Sequence, residues 1–142
     1  MSTTENTPTE PDMATIWKIA TPEDIAAWDS AGAITGSALD RADGFIHSSN
    51  GPMVKKVARM FFADVGDAML LKMRPAEWDR TVRWTTEEPA GRKPPDDGSV
   101  LIHYLPDGCS HVFSAEPIPV SFVSERHPMP LVDGAHVFPE TL

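Results

Sequence analysis

Asp43-Gly44-Phe45-Ile46-His47-Ser48-Ser49-Asn50-Gly51-Pro52 is the stretch on which the reading of this chain turns. Gly44 to Ser48 reads as a short apolar strand that ends by delivering a histidine and a pair of serines. Ser49 or Asn50 can then cap a helix, with Pro52 in its first turn. Beyond it, Met53, Val54, Val57, Ala58, Phe61 and Phe62 recur at the spacing of one helical face. A strand feeding a helix N-terminus in this way frames a small-molecule site. The helix start offers unpaired backbone N–H groups, and the imidazole offers a base or donor near neutral pH. A strand-end histidine is also a common structural residue, so its surroundings carry the decision.

Working outward toward the N-terminus, Ala14 to Ala20 reads as a strand with Ile16, Lys18 and Ala20 on one face and Trp17 and Ile19 on the other. Thr21-Pro22-Glu23-Asp24 opens a helix with a threonine cap, an N-terminal proline and two acids suited to the helix dipole. Ile25, Trp28 and Ala31 give it an apolar stripe, and Gly32 ends it. Ala33 to Asp43 reads as a small-residue connection. Residues 1–13 are polar and acidic, without the basic start and apolar centre of a secretion signal. They are expected to be a disordered leader ahead of one domain spanning 14–139, in a cytoplasmic protein.

Toward the C-terminus, Ala68 to Met73 reads as a buried strand, Pro75 to Arg80 as a helical turn, and Thr81 to Thr85 as another strand. Glu87 to Ser99 holds Pro89, Pro94, Pro95, Gly91 and Gly98 among charged residues. Such a segment suits a surface loop, and its position between two strands makes it a candidate mobile flap over a site. Val100 to Leu105 and Cys109 to Ser114 flank the turn signal Pro106-Asp107-Gly108 and form a hairpin. Pro117 to Ser124 supplies a last strand, followed by a proline-containing tail. Early helices and later strands make an α+β architecture with a mainly antiparallel sheet and two helices.

The charge balance, 12 basic against 21 acidic side chains for a net charge of −9, opposes binding to nucleic acid. The compact basic group Lys55-Lys56-Val57-Ala58-Arg59 lies on a predicted helix and reads as a solvated face. No apolar run approaches the roughly 20 residues that span a bilayer, and no membrane partner is expected. A single cysteine, Cys109, excludes an internal disulfide and a thiolate zinc knuckle. Spaced histidine–glutamate metal motifs, a G-x-S-x-G turn, a G-x-G-x-x-G loop and a phosphate-binding loop are all missing from the sequence, and no metal is assigned.

His47, His103 and His111 all fall on predicted strands and are the candidate catalytic residues. A three-residue loop at Pro106 to Gly108 sets Leu105 against Cys109 and turns His103 to face His111 on one side of the sheet. A two-residue loop at Asp107-Gly108 puts the rings on opposite faces. Facing imidazoles suit proton shuttling or the grip of a phosphate.

The chain resembles the DUF952 family of small bacterial proteins of unknown function. The resemblance rests on Ile16-Trp17-Lys18-Ile19, Trp28, Gly36 to Asp40, and above all Asp43 to Ser49, where the family has Asp-Gly-Phe-Ile-His-Leu-Ser and this chain has Ser48 for Leu. Arg83-Trp84-Thr85, Ser110 to Ser114 and His136-Val137-Phe138-Pro139 extend it. It implies an ADP-ribosyltransferase-like scaffold with a split sheet and a cleft for NAD or a related nucleotide. Thr85 stands where the family has Glu, and Glu87 or Glu88 is the candidate replacement carboxylate. Ser110, Phe113 and Ser114 replace Pro, Tyr and Gly around His111.

Lys18, Ser48, Ser49, Arg83 and Trp84 are the expected cofactor contacts, with Trp17 an alternative stacking ring. The expectation is thus a small-molecule enzyme with a nucleotide-type cleft. The alternatives are a cofactor-independent enzyme with paired histidines as acid and base, or a non-catalytic binding module.

Overall fold

The computed structural model describes residues 15–140 and 142, so the proposed leader lies outside the described residues. The chain runs β1 (Ile16–Ala20), α1 (Pro22–Ala31), β2 (Ala33–Ile34), α2 (Ala38–Asp43), β3 (Ile46–Ser49), α3 (Gly51–Phe61), β4 (Met69–Met73) and β5 (Val82–Thr85). It continues through β6 (Val100–Tyr104), β7 (Cys109–Phe113), β8 (Ile118–Pro119), β9 (Val123–Pro128), β10 (Leu131–Val132) and β11 (Ala135–His136). Seven strands form one sheet in the order β9-β4-β1-β3-β7-β6-β5. Every neighbouring pair is antiparallel except β5 with β6. The architecture is therefore α+β with a mostly antiparallel sheet. No helix among the described residues is long and apolar enough to cross a membrane.

The local signals explain most of these elements. Thr21 caps α1 by accepting from Asp24 N, and Gly32 closes it in the left-handed conformation at φ 76°. Asn50 caps α3 by accepting from Met53 N. Between β6 and β7, Leu105 N donates to Cys109 O and Gly108 N donates to Leu105 O, so the loop is the three-residue one. Gly108 has φ 101°, and a Cβ there would lie 2.6 Å from Asn50 Oδ1, so only glycine fits against the α3 cap.

Three expectations are corrected. Ala33 to Asp43 is not a plain connection: it holds β2 and α2, making three helices among the described residues rather than two. Ser37 accepts from Asp40 N while Asp40 accepts from Ser37 N, a capping box built with aspartate in place of the commoner glutamate. The last strand is broken. Ile118–Pro119 pairs with β2, a 3-10 turn spans Val120–Phe122, and β9 begins only at Val123, because Pro117 and Pro119 cannot donate to a ladder. The tail contains its own hairpin, β10 with β11, turned by Asp133 and Gly134 with φ of 53° and 81°.

The sheet is covered on both faces. Ile16, Ala20, Trp28, Leu71, Ile102, Val112 and Ile118 pack on the α1 side. Trp17, Ile19, Val54, Ala58, Leu70 and Met129 pack on the α3 side. All of β1 is buried in consequence, Lys18 included. Among the described residues, the two halves of the sheet, β9-β4-β1 and β3-β7-β6-β5, meet through a single residue pair, Trp17 with Ser49. Lys18 Nζ donates to the His47 carbonyl at 2.7 Å, so a side chain bridges where the ladder has opened.

Candidate functional site

Three adjacent strands place a histidine at the same level. His47 on β3 is the register partner of His111 on β7, and His111 is the partner of His103 on β6. The parallel pairing of β5 adds Thr85 beside His103. Because cross-strand partners share a face, His47, His111, His103 and Thr85 form one row on the α3 side of the sheet. The ring centroids lie 5.4 Å (His47–His111) and 5.5 Å (His103–His111) apart, edge to face. Phe45, just before β3, stacks on His111 at 4.1 Å and also touches His47 at 4.6 Å.

The two outer histidines stand in different surroundings. His47 Nδ1 shares a hydrogen bond of 2.7 Å with Asp40 Oδ1, and its backbone N–H donates to the same oxygen at 3.0 Å. Asp40 Oδ2 accepts from Ser37 N at 2.9 Å and pairs with Lys18 Nζ at 2.9 Å. The other ring nitrogen, Nε2, lies 3.0 Å from Asp43 Oδ2 as an ion-pair contact. By contrast, Nδ1 of His103 and Nδ1 of His111 are buried without a hydrogen-bond partner among the described residues. The opposite, Nε2-bearing edge of each half-buried ring is the one left to meet a ligand.

Burial by itself raises the Asp40 carboxyl, but hydrogen bonds from His47 and the charge of Lys18 outweigh it and hold Asp40 well below the usual carboxylate range. Burial lowers Lys18, and Asp40 opposes that shift. Burial, followed by the neighbouring His47 and His103, pushes His111 down to about 4, so this ring is neutral at pH 7. Burial and Asp107 push Cys109 up to about 11, which keeps the thiol protonated near neutrality.

A folded-state value below the ordinary 6.5 means that the unfolded chain binds the His111 proton first. His111 therefore favours the fold fully above pH 6.5, and that contribution drains away as pH falls toward 4. The expected NMR titration of the His111 ring has its midpoint near 4, and a His47→Gln change moves it upward by removing a neighbouring charge.

The predicted contact residues divide between the two faces. Ser49 lies on the histidine side, buried near Cys109, and Arg83 lies there too, exposed and 3.6 Å from Asp97. Ser48 points to the other face, where its Oγ meets Ser110 Oγ at 2.7 Å. Trp84 also faces away, packed on the core and edge-on to Tyr104 at 6.1 Å. Trp17 is buried in the core on the α3 side. Lys18 lies beneath the row and reaches it only through Asp40 and the His47 carbonyl.

Sequence reasoning passed over Asp40, Asp43, Phe45 and Arg92. The Ser37-x-x-Asp40 spacing was the available signal for Asp40. Arg92 belongs to the predicted flap, which contains a 3-10 turn at Ala90–Arg92. Its guanidinium lies 5.5 Å over the Phe45 ring and its Nε pairs with Glu88 at 3.0 Å. The loop thus folds back over the histidine row, with Glu88 and Arg92 both close enough to act on His111. A cavity of about 360 Å³ opens on the opposite face, between Ile46, Val112 and Ile118 with Arg41 at its edge. It contains none of the three histidines.

The sequence profile of the family described as protein of unknown function (DUF952) matches residues 19–125. No curated protein matches the chain. Among solved structures, the crystal structure of protein CC0527 from Caulobacter crescentus is similar, with 27% identity and a TM-score of 0.58 over 87% of this chain and 93% of that one. A double-mutant crystal form of CC0527 gives the same values. Its solution NMR structure gives 25% identity and a TM-score of 0.56 over 86% and 90% of the two chains. With the Asp43-to-Ser49 run inside the matched region, the chain belongs to the DUF952 family.

Proposed function

We propose that this protein is a small-molecule enzyme whose substrate, a nucleotide- or NAD-type molecule, lies across the His47–His111–His103 row. The observation that carries the reading is the pair of buried, unpartnered Nδ1 atoms on His103 and His111. A buried N–H without an acceptor is costlier than an idle lone pair, so Nδ1 carries the lone pair and Nε2 the proton. Two adjacent rings then present N–H donors from one face, a geometry suited to phosphate or ribose oxygens. The single-pair join between β1 and β3 supports an ADP-ribosyltransferase-like arrangement, in which a dinucleotide lies between two small sheets.

Calorimetric titration with NAD, ADP-ribose and AMP tests the reading. Heat is expected from at least one of them, and it is expected to vanish in His111→Ala. No heat from any at millimolar concentration overturns it.

A second reading is supported by the 2.7 Å contact between Asp40 and His47 Nδ1. Asp40 fixes the proton on Nδ1, which makes Nε2 the nitrogen that exchanges a proton with substrate. Under this reading the reaction needs no nucleotide, and His47→Gln removes activity while the nucleotides give no heat.

A further inference from the structure

We propose that the Asp43 carboxylate is a resident counter-anion occupying the seat of the ligand's own anionic group, a phosphate or carboxylate that exchanges with it on His47 and Arg92. The inference deepens the reading of the histidine row as a ligand site and rests on it. Asp43 spans the His47 imidazole and the Arg92 guanidinium with its two oxygens: Oδ2 lies 3.0 Å from His47 Nε2 and Oδ1 lies 3.9 Å from Arg92 Nη1. A ligand group carrying two oxygens on one atom can span the same pair. Arg92 Nη1 also donates to the Asp43 carbonyl at 3.4 Å, so the loop is tied to this residue by main chain as well as by charge.

The two carboxylates on His47 are held differently. Asp40 is 3% exposed and fixed by Ser37, Lys18 and the His47 backbone, so it cannot leave. Asp43 is 33% exposed and has no hydrogen bond of its own to the ring, so water and solute anions reach it. It ends α2 beside Gly44, a left-handed cap that leaves the side chain at the lip of the site. Arg92 sits at φ 54° directly after Gly91 at φ 65°, two consecutive left-handed residues. Its guanidinium packs on Phe45, which packs on His111. An anion seated between His47 and Arg92 therefore touches the rim of the row and clamps the loop above it. Once displaced, Asp43 turns into solvent at little cost.

The seat is tested with inorganic phosphate and with acetate, each titrated while the His47 ring signal is followed by NMR. Wild type, Asp43→Asn, Glu88→Gln and Arg92→Gln are compared. Removing a competing charge a few ångströms from the anion predicts about tenfold tighter binding in Asp43→Asn. Glu88→Gln removes an equal charge from Arg92 without vacating the seat, and a change of less than about threefold is expected. Arg92→Gln is expected to weaken binding at least as much as Asp43→Asn strengthens it. The tighter of the two probes identifies the anion as phosphate or carboxylate.

Unchanged or weaker binding in Asp43→Asn, an equal gain in Glu88→Gln, or no response of His47 to either anion overturns the proposal. If nucleotides bind while Asp43→Asn gains nothing, the seat is wrong and the nucleotide reading stands. If phosphate binds with the expected gain while the nucleotides give no heat, the seat stands and the nucleotide reading falls.

Discussion

Asp40→Ala is expected to cost about 3–5 kcal/mol, the usual penalty for removing one partner of a buried ion pair. The carboxylate is 3% exposed and serves four partners at once: Lys18 Nζ, Ser37 N, His47 N and His47 Nδ1. Truncation leaves the Lys18 ammonium buried without a counter-charge, opens the α2 cap and frees the His47 ring. A domain of this size holds only about 5–15 kcal/mol in total, so the loss is a large share of it. Urea denaturation measures it. Adding Lys18→Met to Asp40→Ala is expected to recover part of the loss by removing the stranded charge, and the absence of any recovery would show that the ion pair is not its source. The folded Asp40 value lies below the ordinary 3.8, so the stability it confers is complete above that pH and is lost only in stronger acid.

His111→Phe is expected to raise stability and abolish ligand binding together. The ring already stacks on Phe45 at 4.1 Å, and its buried Nδ1 has no partner, so an apolar ring of similar shape keeps the packing and removes the unsatisfied atom. The expected gain is about 1–2 kcal/mol. Loss of an acid–base or donor group at the centre of the row is expected to lower activity on the true substrate by about 10²–10⁴-fold. Thermal melts and nucleotide titrations on the same preparation check both halves. A destabilised variant that still binds ligand would mark His111 as a packing residue.

The central strand-to-helix unit was legible because its signals are local. Asn50 and Pro52 start α3, Met53, Val54 and Ala58 form its buried face while Phe61, expected on that face, is exposed, and Pro106-Asp107-Gly108 turns the β6–β7 hairpin. The α2 capping box was equally local but carried by Asp40, whose short side chain makes a weaker sequence signal than glutamate. The strand expected from Pro117 to Ser124 looked continuous in hydrophobicity, yet its prolines withdraw the donors a ladder needs.

The candidate site divides along the same line. His47, His103 and His111 were visible as strand histidines, but the turn signal allowed a two- or a three-residue loop, and only the three-residue loop observed sets His103 against His111. That β3 lies beside β7, putting His47 in the same row, depends on strand order across 62 residues of sequence separation, as the Ser48–Ser110 contact shows. The faces of Ser48 and Trp84 were likewise open until register was known, because a one-residue shift reverses every side chain in a strand.

By itself, then, the sequence determined most of the strands and helices, though not β2, α2, the break after β8 or the tail hairpin, as well as the hairpin that carries two of the histidines and the resemblance to DUF952. Capping, turn chemistry and periodicity act within a few residues and leave their marks there. Only the tertiary structure decided that three histidines share one row, that Asp40 locks the first of them onto Lys18, and that Arg92 reaches across to Asp43 and Phe45. Those contacts join residues that are distant in sequence. They form because the sheet must bury both faces of β1, and that packing brings Lys18 beneath the opening between β1 and β3.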